Sequence, residues 1–244
     1  MKKRFWEFKN TANDTGELYI YGDIVSYQWD DSDTTAQSFK DELKALGDIK
    51  TLNVYINSPG GSVFQGQAIH TILKRHQAKI TIHIDGVAAS IASVIAMAGD
   101  TVYMPRNAMM MIHNPWTIAM GNAQELRKQA DDLDKIKESL LEAYLNKTGE
   151  KLDRESLIRM LDEETWLTAQ ECYDYGLCDE LEEEKDIAAS MNVELFARFK
   201  NAPADLLKVA KTKEEGTLDD EERQKLIAES KGNIEKINEI LGGM

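Results

Sequence analysis

A serine, a histidine and an acidic cluster occur in that order along the chain, and these residue types together can perform acyl transfer. Ser90 follows Gly86-Val-Ala-Ala, where a strand-like run gives way to an apolar run of small residues. A hydroxyl in the first turn of a helix lies beside unpaired N–H groups and the positive end of the dipole. Ser90 is therefore a candidate nucleophile. A small residue that permits close helix packing is the alternative, and Ser93 fits that alternative.

The candidate base is His113, which follows Met109-Met-Met-Ile and precedes Asn114-Pro115. A histidine at the end of a buried strand is held rigidly at a sheet edge, where it can accept a proton from a serine. The alternative is a core or edge histidine that is bonded to backbone. That alternative suits the remaining histidines better: His70, His76 and His83.

The acidic cluster Asp162-Glu-Glu164 precedes a short strand-like run, Thr165-Trp-Leu-Thr168. A carboxylate there can orient a histidine and stabilise its cation, and serine, histidine, acid is one of several chain orders of catalytic triads. An acidic helix end on the surface is the alternative. The sequence contains no metal-ligand spacing, phosphate-binding loop or dinucleotide fingerprint, so no other catalytic motif competes.

A fourth stretch, Ser58-Pro-Gly-Gly-Ser62, directly follows a β-rich run. Paired glycines let the backbone approach another chain closely and expose its N–H groups. Such a loop can form an oxyanion hole or clamp the backbone of a substrate. A tight turn between a strand and a helix explains the same residues equally well.

Strands and helices alternate around these four stretches, which predicts βαβ units and a mostly parallel sheet. We expect a strand over 79–85 that ends at Gly86, followed by an apolar helix over 87–98. A long helix is expected from Ala123 to Leu145 and stops at Gly149. Further elements are expected at 17–25, 34–46, 51–57, 63–75, 101–104, 108–112, 153–161 and 169–175.

Composition restricts the partners of this chain of 244 residues, which has a formal charge of −14. An acidic protein is a poor ligand for nucleic acid or for an anionic membrane surface. No apolar run reaches the roughly 20 residues that span a bilayer, and the N-terminal residues lack the apolar region of a signal peptide. Cys172 and Cys178 have no zinc-ligand partners, so we expect reduced thiols in a cytoplasmic protein.

The composition changes after Leu181, where a charged run begins a tail rich in Lys and Glu. We therefore divide the chain into a domain over 1–181 and an acidic, largely helical extension over 182–244.

The motifs Asn57-Ser-Pro-Gly-Gly-Ser62, Gly86-Val-Ala-Ala-Ser90, Met111-Ile-His-Asn-Pro115 and the run Thr165–Asp179 resemble the Clp protease proteolytic subunit. The chain is more closely similar to phage and prophage relatives that often serve as head-maturation proteases. The resemblance covers about Glu17 to Leu181. It implies a crotonase-like α/β fold and a serine endopeptidase that uses a Ser-His-acid triad.

The resemblance also implies roles for single residues. Ser90 takes the position of the nucleophile and His113 that of the general base. The N–H groups of Gly61 and Ile91 take the positions of the oxyanion hole. Gly60 and Ser62 take the positions that clamp the substrate backbone. Glu164 and Asp162 are the two candidates for the acid, and Glu164 is favoured.

Several properties of the assembly follow from the same resemblance. The helix Ala123–Leu145 corresponds to the handle by which two heptameric rings stack, and its leucines at seven-residue intervals fit either a helix seam or packing on its own domain. The substrates implied are unfolded polypeptides or a capsid or scaffold protein, with a Clp ATPase as a possible partner. No metal or organic cofactor is expected.

Two other functions stay open from sequence alone. One is a crotonase-fold enzyme that acts on an acyl-CoA, which shares the glycine-rich oxyanion hole but does not need the pair of Ser90 and His113. The other is a catalytically silent shell or adaptor protein that keeps the fold and assembles through its helices.

Overall fold

The computed structural model describes residues 4–11, 14–25, 35–184 and 199–203. These residues form a mixed α/β structure with one eight-stranded sheet. The strands, in chain order, are β1 Trp6–Asn10, β2 Thr15–Tyr21, β3 Thr51–Ser58, β4 Lys79–Ala89, β5 Thr101–Pro105, β6 Met109–Ile112, β7 Thr165–Thr168 and β8 Glu180–Glu182. The helices are α1 Ala36–Ala45, α2 Val63–Lys74, α3 Ile91–Ala96, α4 Ala123–Thr148, a 3₁₀ turn Gly149–Lys151, α5 Arg154–Asp162 and α6 Ala169–Asp174.

The centre of the sheet is parallel, as the alternation of strands and helices predicts. The order β1-β2-β3-β4-β5-β8 contains one antiparallel pair, β1 with β2. Strand β6 lies off this path, where it pairs in parallel with β4 and antiparallel with β7. Strands β1 and β8 are not among the predicted elements, because they are short and carry many polar or charged residues.

Strand β4 is longer than predicted, and it has two successive partners. Residues Thr81–His83 pair with β5, and residues Val87–Ala89 pair with β6. The expectations that Gly86 ends the strand and that a helix begins at Val87 are therefore wrong. Val87, Ala88 and Ala89 read as helix because they are small and apolar, but the hydrogen bonds to β6 hold them extended.

Hydrophobic side chains from alternate positions of the central strands form the core. Strands β2, β3 and β4 bury every second residue, including Leu18, Val54 and Ile82 at 0% exposure. Helix α3 is short but wholly buried. The core therefore encloses the segment that directly follows Ser90.

Within the part of the chain that the structure describes, the long helix α4 is buried over its C-terminal half only. Its buried residues are Leu140, Leu141, Ala143, Tyr144 and Thr148. Leu126, in the first turn, is 43% exposed. Packing on its own domain thus accounts for Leu140 but not for Leu126.

The predicted boundary at 181/182 falls within β8, and the compact unit that includes the described residues extends to Pro203. Most of the predicted helical extension, 185–198 and 204–244, lies outside the described residues. Among the described residues, no helix is both long enough and apolar enough to cross a membrane.

Candidate active site

Ser90 lies at a sharp reversal of the chain between β4 and α3. Its backbone has φ 55° and ψ −130°, a conformation that costs a residue other than glycine about 1–3 kcal/mol. The Ser90 N–H donates to the Met111 carbonyl at 2.9 Å, which fastens the reversal to β6. The Ser90 side chain makes no capping bond with α3, so its hydroxyl is left to other partners.

The pairing of β4 with β6 brings His113 to that hydroxyl. In this parallel pair Ala89 lies opposite Met111, so Ser90 and His113 leave the sheet at the same edge. The distance between His113 Nε2 and Ser90 Oγ is 2.8 Å, within hydrogen-bond range. The side chain of His113 is 10% exposed.

The pairing of β6 with β7 brings Glu164 to the other side of the same imidazole. In this antiparallel pair Ile112 lies opposite Thr165, so His113 and Glu164 are the next two residues that face each other. Glu164 has φ 53°, and its Oε2 lies 3.9 Å from His113 Nδ1. This distance is that of an ion pair and is longer than a hydrogen bond.

Asp162, the other candidate acid, has different partners. Its Oδ1 accepts hydrogen bonds from Lys137 Nζ and from Asn114 Nδ2, both at 2.7 Å. Lys137 and then Asn114 lower the pKa of the Asp162 carboxyl below its usual value. The side chain is 52% exposed. Asp162 therefore ties the loop after His113 to α4, and Glu164 is the carboxylate that faces the imidazole.

The glycine pair packs against the reversal at Ser90 so closely that no side chain fits. A Cβ on Gly60 would lie 2.6 Å from Ser90 Cβ, and a Cβ on Gly61 would lie 2.1 Å from the Ile24 carbonyl oxygen. Both glycines also have positive φ, +90° and +146°. The two positions require glycine for space as well as for backbone conformation.

Two backbone N–H groups on these segments are candidates for an oxyanion hole. The Ile24 N–H donates to Gly60 O, and the Ser62 N–H donates to Ile24 O. In such a parallel bridge the intervening Gly61 N–H points to the opposite side. Ile91 is the first residue of α3, where an N–H has no acceptor within the helix.

The same bonds bear on the predicted substrate clamp. The Gly60 carbonyl and the Ser62 N–H are both paired with Ile24. The Gly60 N–H is also paired, since it donates to Ser58 Oγ at 3.1 Å. The clamp assigned to Gly60 and Ser62 stays a prediction.

Ser93, which the sequence suggests is a packing residue, is fully buried and also makes polar contacts. Its Oγ donates to the Ser90 carbonyl at 2.5 Å and lies 2.7 Å from the Tyr144 hydroxyl. Burial raises the pKa of Tyr144 above its ordinary value. The buried pair connects α4 to the backbone at Ser90.

Two further residues, Phe199 and Asn201, contact His113 and Glu164, and neither is among the site residues predicted from the sequence. The Phe199 ring packs edge-on against His113 at a centroid distance of 5.6 Å and against Trp166 at 5.9 Å. The Asn201 N–H donates to Glu164 Oε1 at 2.8 Å. Both residues belong to the predicted acidic extension, but the run 187–197 that precedes them is rich in apolar residues and is the sequence signal that could have indicated contact with the core.

Comparison with known families gives an independent result. Residues 10–185 match the family described as Clp protease. The match covers most of the chain, contains Ser90, His113 and both candidate acids, and ends before Phe199. Membership of this family indicates a peptidase. The chain belongs to the Clp protease family.

Proposed function

We propose that the protein is a serine endopeptidase in which Ser90, His113 and Glu164 form the catalytic triad. The observation that carries the proposal is the 2.8 Å contact between Ser90 Oγ and His113 Nε2. It is supported by the position of Glu164 at Nδ1, on the far side of the imidazole. A nucleophile, a base and a group that orients the base are the parts that acyl transfer requires.

In the proposed reaction, His113 Nε2 takes the Ser90 hydroxyl proton as Oγ attacks a peptide carbonyl carbon. Glu164 stabilises the imidazolium cation that forms. The N–H groups of Gly61 and Ile91 donate to the oxyanion of the tetrahedral intermediate. His113 then gives its proton to the leaving amine, and the acyl group stays on Ser90.

Water completes the cycle. His113 removes a proton from a water molecule, which attacks the ester carbonyl of the acyl-enzyme. The second tetrahedral intermediate uses the same two N–H groups. Its collapse expels Ser90 Oγ, which takes back the proton from His113 and restores the resting state.

We further propose that the protein works as a stacked ring assembly of identical subunits, with α4 as the handle. Oligomeric rings that act with Clp ATPases are general in this family. Alternate residues in the loop before α4 place large apolar side chains in solvent: Trp116, Ile118 and Met120 at 60%, 86% and 96% exposure. Such a row of exposed apolar side chains favours burial against another chain.

The substrate that we propose is an unfolded polypeptide or a capsid or scaffold protein, on the strength of the resemblance to phage relatives. A Clp ATPase is the partner that would deliver a folded substrate. We place the protein in the cytoplasm, because Cys172 and Cys178 are both buried free thiols.

The decisive experiment compares the wild-type protein with Ser90→Ala and with a control serine variant on α4, Ser139→Ala. We expect hydrolysis of a fluorogenic peptide and labelling by a fluorophosphonate in the wild type and the control, and neither in Ser90→Ala. All three proteins should unfold at similar temperatures. Labelling that persists in Ser90→Ala would refute the proposal, and saturable CoA binding without labelling would support the acyl-CoA alternative instead.

A further inference from the structure

Residues 199–203, here called the C-terminal strap, contact the proposed triad from outside the part of the chain that matches the family. Phe199 is only 7% exposed. Its ring meets the rings of His113 and Trp166 nearly at right angles, at interplanar angles of 82° and 74°. Edge-to-face contacts of this kind are favourable between aromatic rings.

The strap also bonds to the residues that carry the acid. Asn201 donates twice at short distance, from its backbone N–H to Glu164 Oε1 at 2.8 Å and from Nδ2 to the Glu163 carbonyl at 2.7 Å. Nδ2 also lies 3.5 Å from the Glu164 carbonyl oxygen. One residue of the strap therefore holds both the side chain of Glu164 and the turn that presents it.

Asn201 and His113 contact different oxygens of the Glu164 carboxylate. Oε1 of Glu164 accepts from Asn201, which leaves Oε2 directed at His113 Nδ1. A glutamate has one more rotatable bond than an aspartate, so an additional hydrogen bond to its carboxylate removes more freedom. The Phe199 ring lies against the imidazole itself, where the His113 and Glu164 side chains are only 10% and 12% exposed.

We propose that the C-terminal strap is part of the active site, with Asn201 as a positioning residue that acts through Glu164 and Phe199 as the anchor that holds the strap in place. This inference rests on the proposed function, because it requires that Glu164 supports His113 in catalysis. It assigns a role to residues beyond the matched family region.

A packing role alone predicts a different outcome. If the strap only stabilised the fold, its loss would lower the unfolding temperature and would leave the chemistry of the folded fraction unchanged. If Asn201 positions the carboxylate, its loss weakens the stabilisation of the imidazolium. The apparent pKa on the acid side of the kcat/KM profile should then decrease, since that pKa reports the base in the free enzyme.

The experiment uses the full chain with the variants Phe199→Ala and Asn201→Pro, the second of which removes both Asn201 donors. Lys200→Ala is the matched control, because Lys200 lies between the two and is exposed. We expect fluorophosphonate labelling and kcat/KM to decrease about ten- to a hundredfold in both strap variants, the range expected for a hydrogen bond to a charged group. Lys200→Ala should match the wild type, and circular dichroism should show all variants folded at the assay temperature.

The same substitution in a Glu164→Gln background tests the route of the effect. Because Asn201 acts through the carboxylate, Asn201→Pro should cost little further activity once the charge of Glu164 is gone. An undiminished loss of activity in that background would refute the proposed role of the strap. Wild-type rates in both strap variants, in an enzyme that labels at Ser90, would refute it as well. Either result would leave the proposed function intact. A wild-type enzyme that never labels at Ser90 refutes the proposed function itself.

Discussion

Exchange of Glu164 for glutamine removes the charge that faces His113 and keeps the shape of the side chain. Glu164 Oε2 lies 3.9 Å from His113 Nδ1, and both side chains are largely buried. At an effective dielectric constant of about 20, two unit charges at that distance attract by about 4 kcal/mol. Because each 1.36 kcal/mol is a factor of ten in rate, the full loss of this attraction would lower kcat/KM by about a thousandfold.

Asp162→Asn is the matched control for that experiment. Asp162 pairs with Lys137 at an exposed site, where an ion pair contributes roughly 0.2–1 kcal/mol to stability. We expect Asp162→Asn to retain kcat/KM within about threefold, since its carboxylate does not face the imidazole. The assay is steady-state hydrolysis of a fluorogenic peptide, with thermal unfolding as the check on folding. Near-wild-type activity in Glu164→Gln together with a large loss in Asp162→Asn would refute the assignment of the acid.

Two further predictions concern the glycine loop and pH. Gly60→Ala should lower peptide hydrolysis by about a hundredfold, as expected when a nucleophile is misplaced, because its Cβ would lie 2.6 Å from Ser90 Cβ; Gly47→Ala, with φ +77° and nothing within 4 Å, should keep its activity. Burial lowers the pKa of His70 below 6.5 in the folded state, and the positive charge of Lys74 lowers it further. The unfolded chain then binds protons more strongly, so stability is lost as the pH falls from about 6.5 through the folded-state pKa. In His70→Gln, the unfolding temperature should decrease less over that pH range than in the wild type. An unchanged pH dependence would contradict the lowered pKa of His70.

The sequence predicts the nucleophile and base positions because each stands beside an element boundary that local patterns mark. Ser90 follows a small-residue run, and His113 precedes Asn-Pro. Local patterns cannot decide how far β4 extends, since Val87–Ala89 are compatible with a strand or a helix. Pairing with β6 decides it, and that pairing joins residues distant in sequence.

The choice between Glu164 and Asp162 depends on strand register in the same way. The two residues are only two positions apart, and both are carboxylates. Antiparallel pairing of Ile112 with Thr165 places Glu164 next to His113 and directs Asp162 to Lys137. The resemblance favours Glu164, and the structure supplies a physical reason for that preference. The contact of Phe199 with His113 joins residues that are far apart in sequence, so local sequence patterns do not specify it.

The most direct test of the central claim identifies the residue that an active-site phosphonate modifies. After labelling of the native protein and digestion with trypsin, the adduct should lie in the peptide Ile80–Arg106, which contains both Ser90 and Ser93. Fragmentation should assign it to Ser90, whose hydroxyl contacts His113, and not to Ser93, which is fully buried. An adduct on any other residue, or no adduct in an assembled and folded protein, would contradict the account.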